Sequence, residues 1–531
     1  MTNVAPREEE EEVVLPPLTT PAESGTIGRA QWLALTAALL GWMFDGAEMG
    51  IFSMVGRPAL QDLIPQGSTE RQIALWFGVV TAGFLVGAAT GGVLFGWLGD
   101  RIGRVRAMTL SVLTYAIFTA LCGFATAAWH IGVLRFVAAL GMGGEWSLGV
   151  ALVMEVWPNR SRAFMAGLIG AASNVGFLLV GLVGIGLDVV LADLAKLLAA
   201  VGFSEEHVGT LISHQGWRLI MMLGVLPALL TFFIRLFVPE SRRWQNERAR
   251  GATSHWQAKD LCGILIGAAG PGLIIYLWAA ERTGEIEHTW QIRVLGSLIG
   301  LAIATLGYTY PVVRYLHRQA IATNSLVGRD TLRRMLLGAG LSGVALLGTW
   351  GSAQWADAWS LELANNPALH AAAYTQICGA TGAILGTIGA ALLCDRWGRR
   401  ITYSVMCVAA MASLLMLYQG NKVFGNFFLF SSFIMGICTA SFYGWLPLYL
   451  PELFRTNVRA TGQGFGFNFG RLLAAVGALQ TGNLFAKNVH VAGYTFQGGY
   501  PFACSAISLI YLVGLVLIWF GPETRGKLLP E

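Results

Sequence analysis

Hydrophobic residues make up 55% of the 531-residue chain and charged residues only 12%, a balance that excludes a soluble domain of this size. The formal net charge of +5 does not point to nucleic acid, because Lys and Arg are dealt out between apolar stretches instead of gathering on one face. The seven cysteines lie in or at the ends of apolar runs without metal-like spacing, so neither a disulfide framework nor a zinc site organises the chain, and no cofactor is implied.

Residues 1–30 carry an acidic run from Glu8 to Glu12 and several prolines, and read as a disordered cytoplasmic tail. Apolar stretches long enough to cross a bilayer as helices follow at 31–55, 73–99, 105–126, 128–152, 162–191 and 217–238, a first six-helix bundle over 31–240. A central insert, 241–334, holds two more spans at 261–280 and 293–312. A second bundle over 335–521 has spans at 335–359, 371–394, 401–419, 425–449, 459–483 and 500–520, and 522–531 is a short cytoplasmic tail. The expected fold class is an all-α membrane protein of fourteen spans: two six-helix bundles plus two extra central transmembrane helices. The outer segment 192–216 alternates leucines with Lys196, Glu205 and Glu206 in the manner of a surface helix. Of the 35 Lys and Arg, 25 fall in segments this plan makes cytoplasmic and seven in outer ones, which sets both termini inside.

Two turns repeat. Gly99-Asp100-Arg101-Ile102-Gly103-Arg104 is echoed by Asp395-Arg396-Trp397-Gly398-Arg399-Arg400, with 295 residues from Asp100 to Asp395. Glu155-Val156-Trp157-Pro158 and the Arg160-Ser161-Arg162 after it are echoed from Glu452 to Arg459, with 297 residues from Glu155 to Glu452. The chain is a tandem duplication that skips the central insert. Asp100 can accept hydrogen bonds from a helix N-terminus while the arginines hold an acid or a lipid phosphate, contacts that can break and re-form. Pro239-Glu240-Ser241 and Pro522-Glu523-Thr524 close the two halves, and their acids read as partners for the turn arginines.

These turns resemble the loop between the second and third helices of the major facilitator superfamily and its repeat in the other half. The resemblance implies an alternating-access carrier, with Asp100, Arg101, Arg104, Glu155, Glu240 and their counterparts Asp395, Arg396, Arg399, Glu452, Glu523 as a conformational latch. Arg135, Glu145-Trp146, Gly216-Trp217-Arg218 and the Pro-Glu-Ser resemble the metabolite:proton symporter branch, and the extra central helices look most like the sialic acid:proton symporters. The second turn departs from the pattern, with Ala391 and Cys394 where the first has Gly96 and Gly99. The implied protein is a multi-pass transporter of the bacterial inner membrane, monomeric and lipid-surrounded, whose partners are a small carboxylate and a proton. Rival readings are symport of a neutral sugar and drug or metabolite antiport. An enzyme is disfavoured, since no nucleophile, metal or nucleotide constellation occurs.

Outside the loops only three basic residues remain, Arg135, Arg218 and Arg471. A charge near the bilayer centre costs at least about 2.5–3.5 kcal/mol, so it normally faces a cavity or a partner. Arg218 sits at an outer helix end and can snorkel. Arg135, in the fourth span, is at a depth that suits Asp45 or Glu48 of the first span, three residues apart on one helical face. A carboxylate paired with a buried arginine can load and unload a proton as the pair closes and opens, and Asp45 is expected ahead of Glu48. Glu145, ten residues beyond Arg135, is a second proton site or an inner-gate partner. Arg471 aligns with Asn174 in the repeat, and its planar fork suits a substrate carboxylate; the other reading pairs it with Asp357. Asn174, Asn468, Gln354, Trp355, Tyr443 and Trp445 are the expected companions of Arg471 in substrate binding.

Overall fold

A computed structural model describes residues 28–65, 70–158, 161–226, 237–279, 290–323, 328–364, 370–475, 488–491 and 494–530. With no water in the hydrocarbon to satisfy backbone groups, apolar runs of this length close their hydrogen bonds internally as helices. The first half contains α1 (Arg29–Leu63), α2 (Glu70–Ile102), α3 (Arg104–Cys122), α4 (Ala128–Val156), α5 (Arg162–Ile185), α6 (Leu187–Ala200) and α7 (Glu205–Met222). The connecting region contains α8 (Arg242–Ala249), α9 (Leu261–Ala279) and α10 (Trp290–Thr323). The second half contains α11 (Gly328–Gly351), α12 (Ala356–Ala364), α13 (Ala371–Trp397), α14 (Arg399–Gly420), α15 (Asn426–Ala440), α16 (Phe442–Leu453), α17 (Arg459–Asn468), α18 (Tyr500–Ser508) and α19 (Ile510–Leu517). A short antiparallel hairpin, β1 (Asn488–Val491) with β2 (Tyr494–Gln497), precedes α18.

Among the described residues eleven helices are long and apolar enough to cross a membrane. Three of the fourteen expected spans are not among them. The first carries Arg29, Asp45, Glu48 and Arg57 along α1; residues 227–236 of the sixth and 476–483 of the thirteenth lie outside the described residues. The outer segment is two helices, α6 and α7, rather than one.

Within the first half α2 packs along α4 and α1 along α5; within the second α13 packs along α15. The halves meet along two seams, α2 against α17 and α5 against α13. At the first seam a Cβ on Gly464 would lie 2.1 Å from the Gly92 carbonyl oxygen, so only glycine lets these backbones approach so closely. The central hairpin α9–α10 lies outside, against α2, where the Tyr308 and Thr90 hydroxyls are 2.7 Å apart.

One feature of the second half interrupts its first span. Between α11 and α12 the helix breaks at Ser352, followed by a 3₁₀ turn over Ala353–Trp355. The freed groups find partners: the Ser352 hydroxyl donates to the Cys504 carbonyl (3.0 Å) and the Tyr418 hydroxyl to the Ser352 carbonyl (2.7 Å). At Ser441, between α15 and α16, the backbone keeps helical angles (φ −51°, ψ −34°), and Trp445 one turn further on is fully buried.

Candidate functional site

The repeated turns are built alike. Gly103 (φ 116°) and Gly398 (φ 85°) adopt backbone conformations that side-chain-bearing residues rarely reach, and each opens the helix that follows. Glu240 accepts from the N–H groups of Arg104 (2.9 Å) and Val105, and Glu523 from those of Arg399 (3.0 Å) and Arg400 (3.2 Å). These acids therefore cap the N-termini of α3 and α14, which corrects the expectation that they pair with arginine side chains. Burial lifts Glu240 above the ordinary carboxylate range. At Glu523 burial also pushes upward, but the N–H groups of Arg399, Arg400 and Arg525 outweigh it and hold the carboxyl below its ordinary value.

Below each cap an arginine reaches an acid of its own half. Arg104 meets Glu155 at 3.2 Å and Asp100 at 3.0 Å; Arg399 meets Glu452 at 2.6 Å and Asp395 at 3.2 Å. The first turn is also hydrogen-bonded across the seam. Asp100 accepts from the Thr461 N–H (2.9 Å) and hydroxyl (2.6 Å), Arg104 donates to the Thr456 carbonyl (2.7 Å), and Arg459 donates to Glu155 (2.9 Å). Asp395, by contrast, has a half-exposed side chain. Arg101 lies over the Trp97 ring at 5.1 Å instead of bridging the halves. Gln463 donates to the Ser147 carbonyl and Asn468 to the Gly143 carbonyl (3.0 Å), extending the seal inward.

Above this seal, Trp146 of α4 stacks on Phe467 of α17 with centroids 3.7 Å apart and planes 11° apart. The pair belongs to the wall of a central cavity lined from both halves, including Trp42, Asp45, Phe177 and Asn174 from one side and Trp350, Gln354, Asp357, Tyr443 and Arg471 from the other. Arg471 and Asn174, aligned by the repeat, thus face the same space. Tyr443 is held by a hydrogen bond to Thr349 (2.9 Å) and stands edge-on to Phe467. No residue of α9 or α10 lines the cavity.

Arg471 lies in a helical stretch, 470–475, and is 6% exposed. Its Nε and Nη1 lack hydrogen-bond partners, and among the described residues no acid forms an ion pair with it. The pairing with Asp357 is therefore not made. Three other expected substrate contacts are corrected. Trp445 is fully buried, donates to the Arg399 carbonyl (3.0 Å) and packs on Tyr403; Asn468 is used in the seal; Trp355 lies beside Tyr500, off the lining.

The acids of α1 divide otherwise than expected. Glu48, not Asp45, pairs with Arg135 (2.8 Å) and accepts from the Thr119 hydroxyl (3.3 Å), while Phe52 and Phe84 flank the guanidinium at 4.0 and 4.7 Å. Asp45 lines the cavity instead. Trp146, Phe467, Trp42 and Phe177 were not singled out from sequence, where uniformly apolar helices carry no signal of which aromatic faces the cavity. Arg218 bonds Asp62 at 3.0 Å and the carbonyls of Gly123 and Ala125.

Two helical halves around a central cavity, sealed at one face by ion pairs, define a membrane carrier. The chain belongs to the family described as sugar (and other) transporters, whose model matches residues 32–260 and 313–531. It is an integral multi-pass transporter, not an enzyme. It is similar to the cis,cis-muconate transport protein of Acinetobacter baylyi, 25% identical over 491 residues, covering 92% of this chain and 95% of that protein. It is also similar to the niacin transporter NiaP of Acinetobacter baylyi, 25% identical over 521 residues, covering 96% and 98%. Among solved structures it shares the major facilitator fold of the proton:xylose symporter XylE (TM-score 0.62, 17% identity, 94% of this chain and 98% of that one). The human organic anion transporter MFSD10 has the same fold (TM-score 0.59, 14% identity, covering 92% and 100%).

Proposed function

We propose that the protein carries a small organic carboxylate together with a proton by alternating access in a bacterial inner membrane, with both termini on the cytoplasmic side. The bundles 31–240 and 335–521 are the rocking halves, and the two central helices complete a set of fourteen spans. The observation that carries this reading is Arg471: a buried guanidinium with unsatisfied donors, in a cavity both halves line, calls for an anion. Aromatic walls from Trp146, Phe467, Trp42 and Tyr443 favour a flat apolar body behind the carboxylate. The muconate and niacin carriers among the relatives support an organic-acid substrate.

Two acids in the same cavity, Asp45 and Asp357, make an anion's entry unfavourable unless a proton accompanies it, which supports symport. Sialic acid, suggested by the extra helices, and a neutral sugar, suggested by the fold of XylE, are the alternatives. The test is uptake into proteoliposomes of nicotinate, cis,cis-muconate, sialic acid and xylose, with and without an inward proton gradient. Gradient-driven accumulation of a flat acid supports the reading; accumulation of xylose alone replaces it with sugar symport.

A further inference from the structure

The pairing of Arg135 with Glu48 leaves two acids unexplained. Gly41 and Asp45 stand one turn apart on the same face of α1, and a Cβ on Gly41 would lie 1.7 Å from the Oε1 of Glu145. The Glu145 carboxyl therefore lies in the notch that Gly41 leaves, against the face that carries Asp45. Both are nearly inaccessible, at 6% and 2%, and the Oδ1 of Asp45 and the Oε2 of Glu145 have no partner. Two neighbouring carboxylates buried together repel each other, whereas one proton between them removes one of the two charges and supplies a donor. Among the described residues, the ionisable groups facing the pair are Glu48 on α1, Tyr115 on α3 and Arg471 across the cavity. Glu48 is already neutralised by Arg135. Arg471 is thus the cation left to balance a charge on Asp45, and it is the same group proposed to hold the substrate.

We propose that Asp45 and Glu145 hold one proton between them, and that Arg471 is contested between this pair and the substrate carboxylate, so that anion and proton load together. The second clause rests on the carboxylate reading above; the first does not. When the pair loses its proton, its second negative charge draws on Arg471 and the site is closed to an anion. When one proton enters, it bonds to a carboxylate oxygen, the pair keeps a single charge, and Arg471 is released to the incoming carboxylate. Linkage then makes each ligand favour the other by the same factor.

Two measurements separate the clauses. The first needs no substrate: infrared spectra of the wild type in lipid nanodiscs, titrated with acid, follow the protonated-carboxyl stretch. For a shared proton, Asp45→Asn shifts the titration of Glu145 by as much as Glu145→Gln shifts that of Asp45, because the coupling is reciprocal. If Asp45→Asn leaves the Glu145 titration where it was in the wild type, the pair is refuted. The second is nicotinate binding against pH. Wild-type affinity is expected to fall about tenfold per pH unit above the pair's own transition, the slope for one proton; in the Asp45→Asn/Glu145→Gln double variant the dependence is expected to vanish. A double variant that keeps the wild-type slope overturns the contest for Arg471. If nicotinate and the other acids do not bind the wild type at any pH, the carboxylate reading fails, and the infrared titration still decides the pair.

Discussion

Arg459→Gln cuts the seam at its most charged point. In the native protein Arg459 donates to Glu155 across the halves (2.9 Å) and to the Pro530 carbonyl (2.7 Å). Glu155 does not become an orphan, because it keeps Arg104 (3.2 Å) and the Ser241 hydroxyl (2.5 Å) within its own half. The loss is therefore close to one charge-assisted hydrogen bond, about 1.5–3 kcal/mol, instead of the larger penalty of a stranded buried charge. That shifts the ratio of sealed to open molecules about 10- to 150-fold toward open. The seal retains Asp100 on Thr461 and Asn468 on Gly143, so opening is a shift of population and not a loss of fold. Spin labels at Arg106→Cys and Arg455→Cys, exposed positions on either side of the seam, would report it by pulsed dipolar spectroscopy in a background where the exposed Cys262 is serine. A longer-distance population should appear in Arg459→Gln and shrink in Arg459→Lys, which keeps the charge. An unchanged distance distribution in Arg459→Gln would refute the assignment of these bonds as the gate.

Glu48→Gln should lower thermal stability strongly, by about 3–5 kcal/mol, because it leaves Arg135 buried without a countercharge; Asp45→Asn should not, and comparing their melting in detergent tests the exchange of roles between the two acids. Glu523 is held below its ordinary value of 4.5, so its contribution to stability is present above that value and lost as pH falls through it and below. Melting temperatures of Glu523→Gln and wild type should therefore differ at neutral pH and converge in acid; a constant difference would contradict the capping role. Tyr308→Phe removes the bond that ties the central hairpin to α2, which should cost about 0.5–1.5 kcal/mol of stability and leave substrate affinity unchanged, since the hairpin does not line the cavity.

The sequence carried the scaffold because duplication repeats it. The two turns and the shared placing of Arg471 and Asn174 follow from an offset that does not depend on helix ends, whereas the Arg104–Glu155 and Arg399–Glu452 pairs came from the structure, the sequence having pointed to Glu240 and Glu523 instead. Side-chain facing was less legible. Asp45 and Glu48 are three residues apart on one helix, so spacing put both near Arg135 without saying which would reach it. Glu145 was visible as a charge that the membrane should not tolerate, but its place against Asp45 depends on the notch at Gly41, a contact between two helices that no local pattern encodes. Trp445 and Asn468 lay on the right helices and turned away from the cavity. Trp146 and Phe467 turned into it; the long helix α4 is apolar nearly all round, so no periodicity marked Trp146 as facing the cavity.

The central claim is that Arg471 holds a carboxylate, and an acid tested beside its own amide addresses it most directly. Nicotinate and nicotinamide share a ring and differ in the group the guanidinium would meet. Isothermal calorimetry on purified wild type, Arg471→Ala and Arg471→Lys should show the acid weakened about 30- to 4,000-fold by alanine, the equivalent of about 2–5 kcal/mol for a buried charged pair. The amide should change little, and lysine should be a poor rescue because it restores charge without the fork. Equal effects of Arg471→Ala on acid and amide, or binding of the amide alone, would contradict the account.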